Sequence, residues 1–248
     1  MSTKKPVPVF RREGFELRMA PWIAKHLVDY HLKGNGRILD VGCGDGILTD
    51  LIERGVQWPD NIHKMFGLDI NFYNADHRFA RLDPTDFLNI AKPKAKFSHI
   101  LMTEYLEHVA DPQAHLRKAR SLLEPDGRLV VQCPNATSAN RRLGQLMGII
   151  SHSFDLTEAD RNAGHRRFYD IGRLIVEVRK AGFIVTSCHS YFYKPFPNRA
   201  MEHITRKYAD GGLAKFMAAL YAKTCDDDGA LVCVEGTPDP EVCLRRRR

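Results

Sequence analysis

No run of about 18 apolar residues occurs in the 248-residue chain, which argues against a membrane-spanning helix. The opening MSTKKPVPVFRREGFELRM holds basic side chains without an apolar centre, so a secretory signal is not expected, and its two glutamates disfavour a mitochondrial presequence. No C-x-x-C pair joins any of the six cysteines, at 43, 133, 188, 225, 233 and 243. Scattered through apolar stretches, they read as reduced thiols of a cytoplasmic protein. Internal repeats and low-complexity segments are absent as well. What remains is ordinary globular composition, 44% hydrophobic and 27% charged, and a single domain over 1–248 is expected. The formal net charge of +7 includes the terminal RRRR, so the basic excess points only weakly to an anionic partner.

The order of elements is more informative. Apolar residues at helical spacing predict an N-terminal helix over 13–34. RILDVG (37–42), KMFGLDI (64–70), RFARLD (78–83), FSHILMT (97–103) and RLVVQCP (128–134) read as buried parallel strands, with helices over 47–55 and 111–127. The rhythm breaks after Asn135: 136–167 reads as an amphipathic helix and a polar connection, inserted as a lid after strand five. A helix over 168–183, a strand near 183–193 and a last strand over 230–236 follow. Residues 194–225 form a helical appendage outside the sheet, and 239–248 a basic tail. Alternating strands and helices predict an α/β protein with a doubly wound, mostly parallel, Rossmann-like sheet.

ILDVGCGDG (38–46) falls at a strand-to-helix turn of the core, 35–135. Glycines at 42, 44 and 46 let a ligand approach main-chain N–H groups closely. The pattern is not the dinucleotide fingerprint, and Asp40 precedes the first glycine by two residues. A carboxylate there repels a pyrophosphate and attracts a ligand with a positive amino group. Asp69, ending the second strand, is placed to accept both hydroxyls of a ribose. Asp83, after the third, is a candidate acceptor for an adenine amino group or a turn residue before Pro84.

These residues resemble the class I S-adenosylmethionine-dependent methyltransferases over about 35–190: ILDVGCGDG, GLDI, ARLDPTDF and GRLVVQCPN look like four of their motifs. The resemblance implies S-adenosylmethionine as cofactor. Asp40, Gly42, Cys43 and Gly44 would surround its methionine part, Asp69 and Ile70 the ribose, Asp83 the adenine, with Thr103 beside the reacting end. One departure is that only INFYNADHRFARL separates Asp69 from Asp83, too short for a full helix.

TEYLEH (103–108) begins where strand four ends, beside the methyl donor in that fold. On a helix, Glu104, Glu107 and His108 would share one face. With PN after strand five and then GHRRFYD, the pattern resembles the ubiquinone-pathway O-methyltransferases, bacterial glycan and natural-product methyltransferases, and enzymes that 2′-O-methylate the 3′ end of small RNAs. The last of these implies a divalent cation, Mg²⁺, Mn²⁺ or Zn²⁺, on Glu104, Glu107, His108 and His165. Glu104, His108 and His165 are equally the candidates for acid–base chemistry if no metal binds. Arg141, Arg142, Arg166 and Arg167 are either lid surface charges or contacts to an acceptor's phosphate or carboxylate. No RNA-binding domain or stacking platform is evident. The favoured expectation is therefore O-methylation of a small molecule or glycan; RNA 3′-end methylation and a non-catalytic cofactor binder are the alternatives.

Overall fold

The computed structural model describes residues 14–32, 36–56, 65–70, 80–81, 86–91, 93–207, 212–223 and 225–245. Helix α1 (Gly14–Tyr30) precedes the alternation β1 (Ile38–Val41), α2 (Ile47–Gly55), β2 (Met65–Leu68), β3 (Ala80–Arg81), a 3₁₀ turn (Phe87–Asn89), β4 (Phe97–Thr103), α3 (Pro112–Leu122) and β5 (Leu123–Pro134). Then come α4 (Ala139–Leu146), α5 (Glu158–Asn162), α6 (Ile171–Lys180), β6 (Phe183–Tyr191), α7 (Asn198–Lys207), α8 (Leu213–Ala222), β7 (Leu231–Pro238) and α9 (Pro240–Arg245).

The strands form one seven-stranded sheet in the order β3-β2-β1-β4-β5-β7-β6, in which only β7 runs against its neighbours. Both faces are covered, and the strand sequences show why. Ile38, Leu101, Val130 and Leu231 enter the core beneath α1, α2, α7 and α8. Their alternating neighbours Leu39, Val41, Ile100, Met102, Leu129, Val131 and Val232 enter the core beneath α3 and α6. Side chains of a strand point alternately to opposite faces, so two apolar layers need the near-continuous apolar runs seen here. The order of strands reverses between β1 and β4, and a ligand crevice opens at such a switch point, beyond the carboxyl ends of the strands.

Several boundaries differ from expectation. The third helix ends at Leu122 rather than 127, and β5 begins at once with a bulge, pairing Leu123 with Phe97 and then Arg128 with His99. Glu124 precedes Pro125, and the residue before a proline is driven out of the helical region. The insert after β5 contains two short helices, α4 and α5, instead of one. Helices α7 and α8 lie outside the sheet, yet Met201, Met217 and Leu220 belong to the core under α1, so the segment is a packed layer more than an appendage. Part of the expected basic tail is helical, as α9.

Candidate active site

The chain leaves β1 through a turn in which Gly42, Gly44 and Gly46 have φ of +79°, +56° and +76°. Gly42 is doubly constrained, because a Cβ there would lie 2.5 Å from Cδ2 of Tyr105. The turn is tied to β2: Gly42 N–H and Cys43 N–H donate to the Leu68 carbonyl at 2.8 and 3.2 Å, and Gly44 N–H donates to Asp69 Oδ2 at 3.0 Å. Asp69 therefore stands directly beside the glycine turn. Asp40 lies beneath it, 1% exposed, and its Oδ2 accepts the Thr49 hydroxyl at 2.6 Å. Cys43 is buried, and burial followed by the Asp40 charge pushes its thiol far up. Thr103 is buried at the end of β4, while Ile70 is exposed. Asp83 falls outside the described residues.

TEYLEH is not a helix. Glu104 leaves β4 with φ of +52°, its N–H donating to the Gln132 carbonyl at 2.8 Å, and residues 106–108 form a turn. A non-glycine residue in the left-handed region carries strain that the surroundings must offset. The fully buried Leu106 anchors the turn, and α3 starts only at Pro112, capped by Asp111, which accepts from Ala114 N–H at 3.0 Å. The face that a helix would have shared is thus replaced by a turn.

The insert supplies the missing partner. Arg166 N–H donates to the Glu107 carbonyl at 2.8 Å, and Arg166 Nε donates to the His108 carbonyl at 2.9 Å. This lacing sets the His165 ring 4.8 Å from the His108 ring, edge to face. Glu107, His108 and His165 each offer a donor atom within 4.8 Å of the others. Glu104, expected as a fourth ligand, is not part of that group, although its charge acts on all three.

The electrostatics of the cluster follow from burial. Glu107 is 1% exposed, its carboxyl lies beside the Cys133 thiol, and His108 Nε2 lies 3.8 Å from Oε1. Burial, with the Glu104 charge adding to it, pushes its carboxyl up to about 8. Burial and the neighbouring His165 pull His108 down to about 4. Burial also lowers His165, whose Nδ1 has no hydrogen-bond partner. Both imidazoles are neutral at pH 7.

The four arginines are engaged within the protein. Arg141, 8% exposed, donates from Nε to Ser153 O at 2.5 Å and from a terminal nitrogen to Asp155 O; it lies 3.5 Å from Asp160 and 3.8 Å above the Phe168 ring. Arg142 pairs with Asp227, and Arg167 donates to Ala110 O. Two contributors were not legible in the sequence. Tyr105 presses on Gly42 and hydrogen-bonds His115 Nδ1 at 2.8 Å. Lys194, just past β6, donates to Asn198 Oδ1 at 2.7 Å and feels the charges of Glu16, Glu104 and Asp160. Tyr105 lies within TEYLEH, but its contacts are not encoded by that pattern, and Lys194 lies in no recognisable motif.

A glycine turn after the first strand and an acid after the second, at the switch point of this sheet, define a nucleotide-binding α/β protein. A family described as a methyltransferase domain matches residues 11–188, and the chain belongs to it. It is an S-adenosylmethionine-dependent methyltransferase. A ubiquinone biosynthesis O-methyltransferase of Xylella fastidiosa (strain M23) is 27% identical over 174 residues, 66% of this chain and 67% of that protein. The fold is shared with an S-adenosylmethionine-dependent methyltransferase from Thermotoga maritima, titled a possible histamine N-methyltransferase, at 18% identity, TM-score 0.56, and coverage of 90% and 91%. It is shared too with the 1,6-didemethyltoxoflavin-N1-methyltransferase of Burkholderia thailandensis, solved with bound 1,6-didemethyltoxoflavin and S-adenosylhomocysteine, at 14% identity, TM-score 0.56, and coverage of 89% and 78%. Among the described residues no helix is long and apolar enough to cross a membrane.

Proposed function

We propose that this methyltransferase acts on a hydroxyl oxygen of a small-molecule or glycan acceptor, at the Glu107–His108–His165 cluster. The cluster itself carries the proposal, because simple methyl transfer needs little beyond positioning, whereas a hydroxyl acceptor must also lose a proton. The relative named for O-methylation supports the same choice of atom. Asp69 is assigned to the ribose diol, the turn at Gly42–Gly44 to the methionine end, and Thr103 to the side facing the methyl group. The acceptor oxygen attacks the methyl carbon, the carbon–sulfur bond breaks, S-adenosylhomocysteine departs, and the hydroxyl proton passes to a base. The insert 136–167, pinned by Arg166, serves as the lid that keeps water from the cluster.

His108 can take the proton directly, but an imidazole near pKa 4 is a poor match for a hydroxyl. Neutral imidazoles are also the form that ligates a cation. Two of them, beside the buried Glu107 carboxyl, whose proton a cation would displace, fit a divalent ion held by Glu107, His108 and His165, with Mg²⁺, Mn²⁺ and Zn²⁺ as candidates. Such an ion would supply Lewis-acid chemistry beside the acceptor hydroxyl.

The test is transfer of labelled methyl groups to a panel of hydroxylated small molecules, glycans and RNA carrying a 3′ diol, each with and without a strong chelator. Transfer to a small molecule or glycan, lowered on the order of 100-fold in Glu107→Gln and His165→Ala while cofactor affinity holds, is the expected outcome. Preferential transfer to RNA, or to nitrogen, overturns the acceptor assignment. Full activity in chelator removes the metal and leaves His108 as base.

A further inference from the structure

A second cluster of histidines lies outside the machinery described above. His26 near the end of α1, His31 just beyond it, and His189 on β6 each offer a donor atom within 4.8 Å of the other two. His26 Nε2 and His189 Nε2 are 2.6 Å apart, and the His31 and His189 rings are stacked 5.5 Å apart. His26 and His31 are buried and His189 is half-buried. None of the three belongs to a motif, and the group is distinct from the Glu107 cluster.

The second ring nitrogens are also occupied. His31 Nδ1 lies 2.6 Å from Glu235 Oε2, and the other oxygen of that buried carboxylate accepts from Arg128 at 2.6 Å. The carboxylate fixes the proton on Nδ1 and leaves the lone pair of His31 on Nε2. His26 Nδ1 lies 3.3 Å from the Tyr221 hydroxyl, a contact that lets it donate there and leave its own lone pair on Nε2. Metal-binding histidines are oriented in this way, with the far nitrogen held by a carboxylate or another polar group. Cys233 Sγ, a soft donor, stands 3.4 Å from His31 Nε2.

We propose that His26, His31 and His189 form a zinc-class metal site that ties α1 to the β6 edge of the sheet, with Glu235 orienting His31 and Cys233 beside the fourth position. Neighbouring ligands on a tetrahedral zinc are roughly 3.4 Å apart, given Zn–N bonds near 2.0–2.1 Å. The observed separations, from 2.6 Å up to 4.8 Å, bracket that spacing. An all-imidazole set selects zinc, copper or nickel over magnesium or calcium. The competing arrangement is a metal-free network in which one proton is shared between His26 and His189.

The experiment uses the full chain purified without a polyhistidine tag, in a Glu107→Gln, His165→Ala background that silences the other cluster. After chelator treatment and dialysis against zinc, one zinc per chain is expected by elemental analysis, with a zinc-dependent rise in Tm. Adding His189→Gln or His31→Gln should weaken zinc binding at least tenfold in competition with a chromophoric chelator and abolish the Tm rise. His189 is half-buried, so its variant carries the test if His31→Gln does not fold. Cobalt in place of zinc should give the visible absorption of a tetrahedral site, and loss of a thiolate band in Cys233→Ser identifies the fourth ligand. No retained zinc in the background protein, or unchanged affinity in His189→Gln, overturns the proposal in favour of the shared proton.

Discussion

Asp69 illustrates how much one side chain does when a turn is built from glycine. Its Oδ2 accepts the Gly44 N–H at 3.0 Å, so the carboxylate holds the turn, and the proposed function gives it the ribose diol as well. Asp69→Ala removes both roles at once. S-adenosylmethionine binding should weaken about 10–100-fold, roughly 1.4–3 kcal/mol, by isothermal titration calorimetry. A change below about twofold would take Asp69 out of the cofactor site. Asp69 was legible because an acid at the end of a second strand has a defined place in a doubly wound sheet. Tyr105 was not: its contact with Gly42 depends on how the chain turns after β4.

At the scale of elements, the insert between β5 and α6 decides the geometry of the candidate site. Its segment 147–157 has no regular structure and is organised around Arg141, which gathers Ser153 O, Asp155 O, Asp160 and the Phe168 ring. Arg141→Met keeps much of the apolar stem but strands these acceptors. Local opening should become easier by about 2 kcal/mol, roughly 30-fold faster amide exchange across 148–168, with cofactor affinity within about twofold. Equal loss of cofactor binding would mean that the insert and the glycine turn open as one unit. TEYLEH does not continue as a helix for a related reason. Leaving β4 in the left-handed region at Glu104 places Leu106 in the core, and that burial outweighs local helical spacing.

Across the whole molecule, burial sets the response to pH. His26, His99, His108, His115, His165 and His189 all have pKa values lowered from 6.5, in each case chiefly by burial. The unfolded chain binds more protons than the folded one below 6.5, so these residues cost stability as the pH falls through that value. Glu107 has the opposite sign: raised from 4.5 to about 8, it keeps its proton in the fold while the unfolded chain loses it. Its cost accumulates as the pH rises from 4.5 to 8. Six groups against one make the acid side the steeper, and the metal-free protein should be most stable near pH 6.5. Thermal melts in chelator from pH 4 to 9 check this, with Glu107→Gln flattening the decline between 6.5 and 8 while leaving the acid limb in place. An acid limb no steeper than the alkaline one would contradict the buried, neutral state of these histidines.

The apolar runs of β1, β2, β4 and β5, the glycines at 42, 44 and 46, and the acid at 69 were readable from the sequence alone. Each is a local requirement: a strand covered on both faces must be apolar throughout, and a left-handed turn favours glycine. The family resemblance also picked out Glu107, His108 and His165, but their proximity depends on Arg166 reaching back to the carbonyl of His108, 58 residues away. Only the tertiary structure could leave Glu104 out of that group, bury Arg141, or bring His26 and His31 against His189, 163 residues from His26. Such contacts arise from packing between distant segments, and no periodicity or spacing along a chain encodes which buried side chains will meet.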